Sequence, residues 1–161
     1  VNIESMNVSS SGIPNVHTYT VTIYSDPIQV EKLVKQIEKK VDVVKADYYL
    51  DNEIFTSEVA LFKLSTEKVM AHPEISKAIR HTESRMLEVN DTYITVHVCS
   101  SARVIIDLYK TFARYKSVLQ YTRSGRVAIT RSREEKVSNF LKEQRNQQFM
   151  FMEEGINDEE C

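Results

Sequence analysis

This chain has no tryptophan, three glycines, three prolines and two cysteines in 161 residues. Each shortage excludes something. The glycines, Gly12, Gly125 and Gly155, make no phosphate-cradling loop and leave little backbone for an active-site loop. Cys99 and Cys161 form neither a C-x-x-C motif nor a disulfide framework, so a reducing, cytoplasmic setting is expected. No run of about 18 apolar residues is present to span a membrane. No signal peptide is visible. The formal net charge is only -2, whereas a nucleic-acid backbone selects a basic surface, so nucleic acid is not an expected partner.

Catalytic groupings are also missing. His17, His72, His81 and His97 are scattered without metal-ligand spacing, so no metal site is expected. His17 and His97 fall on strand patterns and could meet across a sheet. The carboxylates fall on helix faces and in the tail, where they read as solvated. No residue set predicts catalysis by this chain.

What is present is a repeated pattern. Val16 to Tyr48 reads strand, cap, helix, strand, and a shift of 75 positions places it on Asp91 to Arg123. Tyr19, Val21 and Ile23 fall on Ile94, Val96 and Val98. Asp26 falls on Ser101, Val30 on Ile105, Leu33 on Leu108, Ile37 on Phe112 and Val43 on Val118. Few pairs are identities. The shared feature is period two, then a polar cap, then period 3.6, then apolar residues again.

In chain order, Val1 to Ser9 and Val16 to Tyr24 predict a hairpin about the Ser9–Asn15 loop. Asp26-Pro27 opens a helix, with Gln29 at the capping-box position and an apolar stripe of Val30, Leu33, Val34, Ile37 and Val41. Val43 to Tyr49 predicts a strand and Leu50 to Ser57 a linker. Glu58 to Leu64 predicts another strand, with Ala60, Phe62 and Leu64 on one face. Pro73 starts a helix with Ile75, Ala78, Ile79 and Thr82 on one side. Arg85–Val89 and Thr92–Cys99 form a hairpin around Asn90-Asp91. Ser100-Ser101 caps a helix striped by Ile105, Leu108, Tyr109 and Phe112. Val118–Tyr121 and Arg126–Ile129 are extended. A last helix runs from Arg133 to about Gln148. The Phe149–Met152 cluster is expected to dock on the body or a partner, and an acidic tail ends at Cys161.

The expected fold class is therefore α+β: two tandem ferredoxin-like βαββαβ domains and a C-terminal helix. The expected boundaries are 1–50 for the first domain, 51–57 for a linker, 58–131 for the second domain, and 132–161 for the helix and tail. The first copy lacks the opening strand and helix that the second copy has. That opening strand is central in the ferredoxin-like order, so its absence leaves unpaired backbone. Either roughly 25 to 30 further residues precede Val1, or another chain fills the slot, or the sheet closes up.

Four blocks carry a family resemblance. Asn2-Ile3-Glu4-Ser5-Met6-Asn7-Val8 resembles the N-I-E-S-L-x-V run of the small, regulatory subunit of acetolactate synthase (acetohydroxyacid synthase). Lys35 to Lys45 is similar to that family's K-Q-L-x-K-L-V-D-V-L-K, and Glu58 to Leu64 to its E-L-A-L-I-K-V. Thr122 to Arg131 resembles its A-R-T-G-R-x-A-L-x-R. The blocks occur in order over Asn2 to about Arg131. The resemblance implies an ACT domain ahead of a second ferredoxin-like domain, and a homodimer paired through the ACT domains. It implies feedback inhibition by a branched-chain amino acid, usually valine, and a catalytic large subunit that holds thiamine diphosphate, magnesium and FAD.

By the same resemblance, Asn2 and Ile3 are the expected effector-binding residues. An Asn amide can both donate to a carboxylate and accept from an ammonium. Glu4, Met6 and Val8 are expected to contact the other subunit, and Arg123, Gly125 and Arg126 are signature residues of unassigned role. The family's effector loop, between its opening strand and helix, has no counterpart here, so valine binding by this chain alone is expected to be poor. The other reading is a stand-alone amino-acid-sensing ACT protein of another pathway.

Overall fold

A computed structural model describes residues 1–11, 13–133 and 136–157, without the side chains of residues 138 and 148–157. The chain divides into two compact units. One holds residues 1–4, 8–55 and the chain from Ile129 on; the other holds 5–7 and 56–128.

In the first unit, β1 (Asn2–Ser10) and β2 (His17–Tyr24) form the expected hairpin as a two-stranded sheet. Residues 5–7 of β1 fall in the second unit. Helix α1 (Pro27–Glu38) follows. Asp26 caps it as expected, its carboxylate accepting from the Gln29 N–H at 3.0 Å, with Pro27 in the first turn. Gln29 does not close a capping box on Asp26; its Oε1 accepts from the Ser25 hydroxyl instead, at 3.0 Å.

The α1 stripe covers no core. Val30, Leu33 and Val34 are half-buried, Ile37 is exposed, and no residue of the helix is fully buried. Tyr19 and Val21 of β2, which the repeat matches to the buried Ile94 and Val96, are exposed as well.

The strand expected over Val43–Tyr49 does not form; apart from a bend at Val44 these residues are irregular backbone. A strand is defined by its ladder partner, and none of the described strands pairs with this segment. Glu38 ties it back to α1, its carboxylate accepting from Lys45 Nζ at 2.7 Å and from the Ala46 N–H at 3.1 Å. Helix α5 (Lys136–Asn157) runs past the expected end near Gln148, and Arg133, its expected start, is a bend. The tail after Asn157 and the side chains of Phe149–Met152 lie outside the described residues.

Strand β3 (Ile54–Ser65) starts inside the expected linker. Then come α2 (Thr66–Ala71), α3 (Pro73–His81), β4 (Arg85–Val89), β5 (Tyr93–Ser100), α4 (Ala102–Arg114), β6 (Val118–Arg123) and β7 (Val127–Thr130). The sheet order is β4-β5-β3-β6, with β7 also on β3. This is the ferredoxin-like arrangement, with the unit's first and third strands central. Pairing is antiparallel, with Phe62 opposite both Val96 and Tyr121.

The core of the second unit is the one the sequence marks. Ala60, Phe62 and Leu64 alternate inward from β3, and Ile94, Val96 and Val98 from β5. Ile75 and Ile79 of α3 and Ile105, Leu108 and Phe112 of α4 cover that face. Phe62 packs edge-on to Phe112 at 5.1 Å and stacks on Tyr121 at 4.9 Å. Ser101 caps α4 through Val104 N at 3.5 Å, the counterpart of Asp26 on α1. The Asn90 side chain shapes the β4–β5 turn, accepting from the N–H groups of Thr92 and Tyr93, each at 2.9 Å.

Candidate functional site: a buried carboxylate between two signature arginines

Alternation along β3 sends residue 58 to the same face as Ala60, Phe62 and Leu64. That residue is glutamate, and it is 1% exposed. A carboxylate there must be paired, because desolvating an isolated charge costs many kcal/mol. Two arginines provide for it. Arg126 Nε donates to Oε1 at 2.9 Å. Arg123 Nε lies 3.2 Å from Oε2, within ion-pair range but poorly directed for a hydrogen bond. Both arginine side chains are mostly buried.

The turn between these arginines is tied to the same strand. Ser124 N–H donates to the Val59 carbonyl at 2.8 Å, and the Val59 N–H donates to Ser124 Oγ at 2.9 Å. Next comes Gly125, against which the backbone of β1 lies. A Cβ placed on Gly125 would stand 2.5 Å from the Met6 carbonyl oxygen and 3.0 Å from Asn7 Cβ. Its φ is not positive, so the position requires glycine for space rather than for conformation.

The structure therefore brings Met6, Arg123, Gly125 and Arg126 together. Glu58 completes the cluster, although the sequence reading treats the carboxylates as solvated. The missed signal is its phase: Glu58 alternates with Ala60, Phe62 and Leu64. Asn2 and Ile3 lie in the first unit, exposed near the start of β1. Glu4 is half-buried and accepts from the Tyr24 hydroxyl at 3.4 Å. Val8 is exposed.

Other candidates are weaker. His17 and His97 stand in separate sheets, on β2 and β5, and do not pair across one. Among the described residues no group of three or more His, Cys, Asp or Glu side chains could hold a metal, and no helix is long and apolar enough to cross a membrane. A hollow of about 150 Å³ on the outer sheet face is lined by Leu61, Phe62, Lys63, Thr95, Gln120 and Thr122. That is small for a ligand pocket, which typically holds about 300 Å³ or more. The Glu58 pairs and the Ser124–Val59 hydrogen bonds clamp the 123–126 turn to β3.

Known proteins are similar to this chain in sequence and in fold. A family described as "Small subunit of acetolactate synthase" matches residues 57–132. The acetolactate synthase small subunit of Aquifex aeolicus (strain VF5) is 25% identical over 133 residues, covering 81% of this chain and 67% of that one. That of Bacillus subtilis (strain 168) is 27% identical over 139 residues, 86% of this chain and 80% of its own. The crystal structure of the acetolactate synthase small subunit from Thermotoga maritima shares the fold, with a TM-score of 0.73 at 22% identity over 83% of this chain and 82% of that chain. The resemblance carried by the four sequence blocks thus recurs in overall sequence and in fold.

Proposed function

We propose that this chain, which resembles the acetolactate synthase small subunit in sequence and fold, is the regulatory subunit of an acetolactate synthase. It performs no chemistry of its own. It binds the catalytic large subunit, which carries the thiamine diphosphate, magnesium and FAD, raises that subunit's activity, and confers feedback inhibition by valine or a related branched-chain amino acid. Asn2 and Ile3 contribute to the effector site; Glu4, Met6 and Val8 contribute to subunit contacts.

One observation carries this reading. Three of the four family blocks, far apart in sequence, meet at one place: Met6 from the first, Glu58 from the third, and Arg123, Gly125 and Arg126 from the fourth. Blocks that converge on one built cluster are better grounds than blocks matched singly. The homodimer draws support from the first unit. A two-stranded hairpin and a helix with no fully buried residue are marginal alone. Val1, Ile3, Tyr19, Tyr24 and Ile28 are each more than 60% exposed there, a surface that suits another chain.

The test is reconstitution. The purified chain is mixed with the purified large subunit of an acetolactate synthase from the same cell, and acetolactate formation is followed with and without valine. Co-elution and a rise in activity are expected. Absence of both would overturn the proposal. Binding to a different enzyme, with an amino-acid response there, would establish the stand-alone sensor instead.

A further inference from the structure

The turn at 123–126 faces strand β1 as well as Glu58. We propose that Gly125 is a positioning residue that seats strand β1 on this turn. It makes β1 the element through which an event at Asn2 and Ile3 reaches the second unit.

The argument starts from space. A Cβ on Gly125 would lie 2.5 Å from the carbonyl oxygen and 2.8 Å from the carbonyl carbon of Met6. These are backbone atoms of a strand, not the end of a flexible side chain. The turn that carries Gly125 is held on both sides. Ser124 is tied to Val59 through its N–H and its hydroxyl, and Arg123 and Arg126 both face the buried Glu58 carboxylate. Of the two partners in the contact, the strand is therefore the one that gives way.

Strand β1 also belongs to both units. Residues 2–4 fall in the first and 5–7 in the second, within one unbroken strand from Asn2 to Ser10. Its backbone is paired with β2 in a two-stranded ladder, which ties residues 2–4 and 5–7 into one element. The contact is made by the Met6 backbone, while the Met6 side chain is exposed. Only the purpose of the seat, relaying an effector, rests on the regulatory reading; the seat itself does not.

The experiment uses amide resonances of the full 161-residue chain. Gly125→Ala is expected to shift the amides of Ser5 to Asn7 and to leave those of Tyr93 to Ser100 in place. Asn2→Ala in the wild-type background is expected to shift the amides of Ser124 to Arg126; in the Gly125→Ala background that transmitted shift falls to less than half. Unmoved Ser5–Asn7 amides in Gly125→Ala, or an Asn2→Ala effect of the same size in both backgrounds, would overturn the proposal. Should Gly125→Ala fail to fold, Glu58→Gln loosens the turn without adding bulk. It must then shift the Ser5–Asn7 amides, and their staying put would equally overturn it. A chain that does not activate the large subunit would sink the regulatory reading and leave these spectra as the judge of the seat.

Discussion

Arg126 donates through Nε to Glu58 at 2.9 Å, and the carboxylate it meets is almost wholly out of water. Strand phase buries the charge, and Arg123 and Arg126 neutralise it. Removing one partner leaves charge in the interior without full compensation. Arg126→Ala should therefore cost roughly 3 kcal/mol of stability, in line with broken buried ion pairs. Glu58→Gln should cost less, since the amide oxygen still accepts while the charge is gone. Urea unfolding of each variant measures this. A loss under about 0.5 kcal/mol for Arg126→Ala, the size of an ordinary surface substitution, would mean that the pair contributes little.

The second unit was largely legible from the sequence. Period-two residues on β3 and β5 and period-3.6 residues on α3 and α4 each selected the face that is buried. Two parts were not legible. The apolar residues of Val43–Tyr49 matched a strand, but a strand also needs a ladder partner, and local pattern does not supply one. The short helix Thr66–Ala71 is too brief to show a 3.6-residue stripe and has only Val69 buried. Gly125 could be flagged by resemblance alone. Its reason is the approach of a strand from the other end of the chain, which spacing does not reveal.

Lys116 ends α4 in the left-handed region, with φ 51°. Its N–H donates to the Ala113 carbonyl at 3.0 Å, and the Ser117 N–H donates to the Phe112 carbonyl at 3.2 Å, a Schellman pair. A side chain in that conformation is strained, and glycine is not. Lys116→Gly should raise stability by about 1 kcal/mol, seen as a higher melting temperature. An unchanged or lower melting temperature would show that the Lys116 side chain makes up for the strain.

Tyr93 and Glu88 couple across the β4–β5 hairpin. The Tyr93 hydroxyl donates to Glu88 Oε1 at 2.8 Å. That hydrogen bond and the adjacent negative charge hold the phenol above the usual tyrosine range. A raised folded-state pKa means stability that is fully present below the unfolded value of about 10. It is lost as pH rises through the folded value. Spectrophotometric titration near 295 nm should find that Glu88→Gln lowers the pH at which Tyr93 ionises, because the phenol loses its carboxylate partner. Identical tyrosine titrations in the two proteins would contradict the coupling.

Asn2 and Ile3 stand exposed near the start of an edge strand. An amino-acid effector carries a carboxylate and an ammonium, and both need desolvated partners to bind tightly. One exposed amide and a stretch of open backbone supply only part of such a site. Isothermal calorimetry of valine with the 161-residue chain should therefore show weak, non-saturating heats. What signal there is should fall with Asn2→Ala. Tight, saturable binding to this chain that Asn2→Ala leaves intact would place the effector away from β1. The relay from Asn2 to Gly125 would then need another starting point.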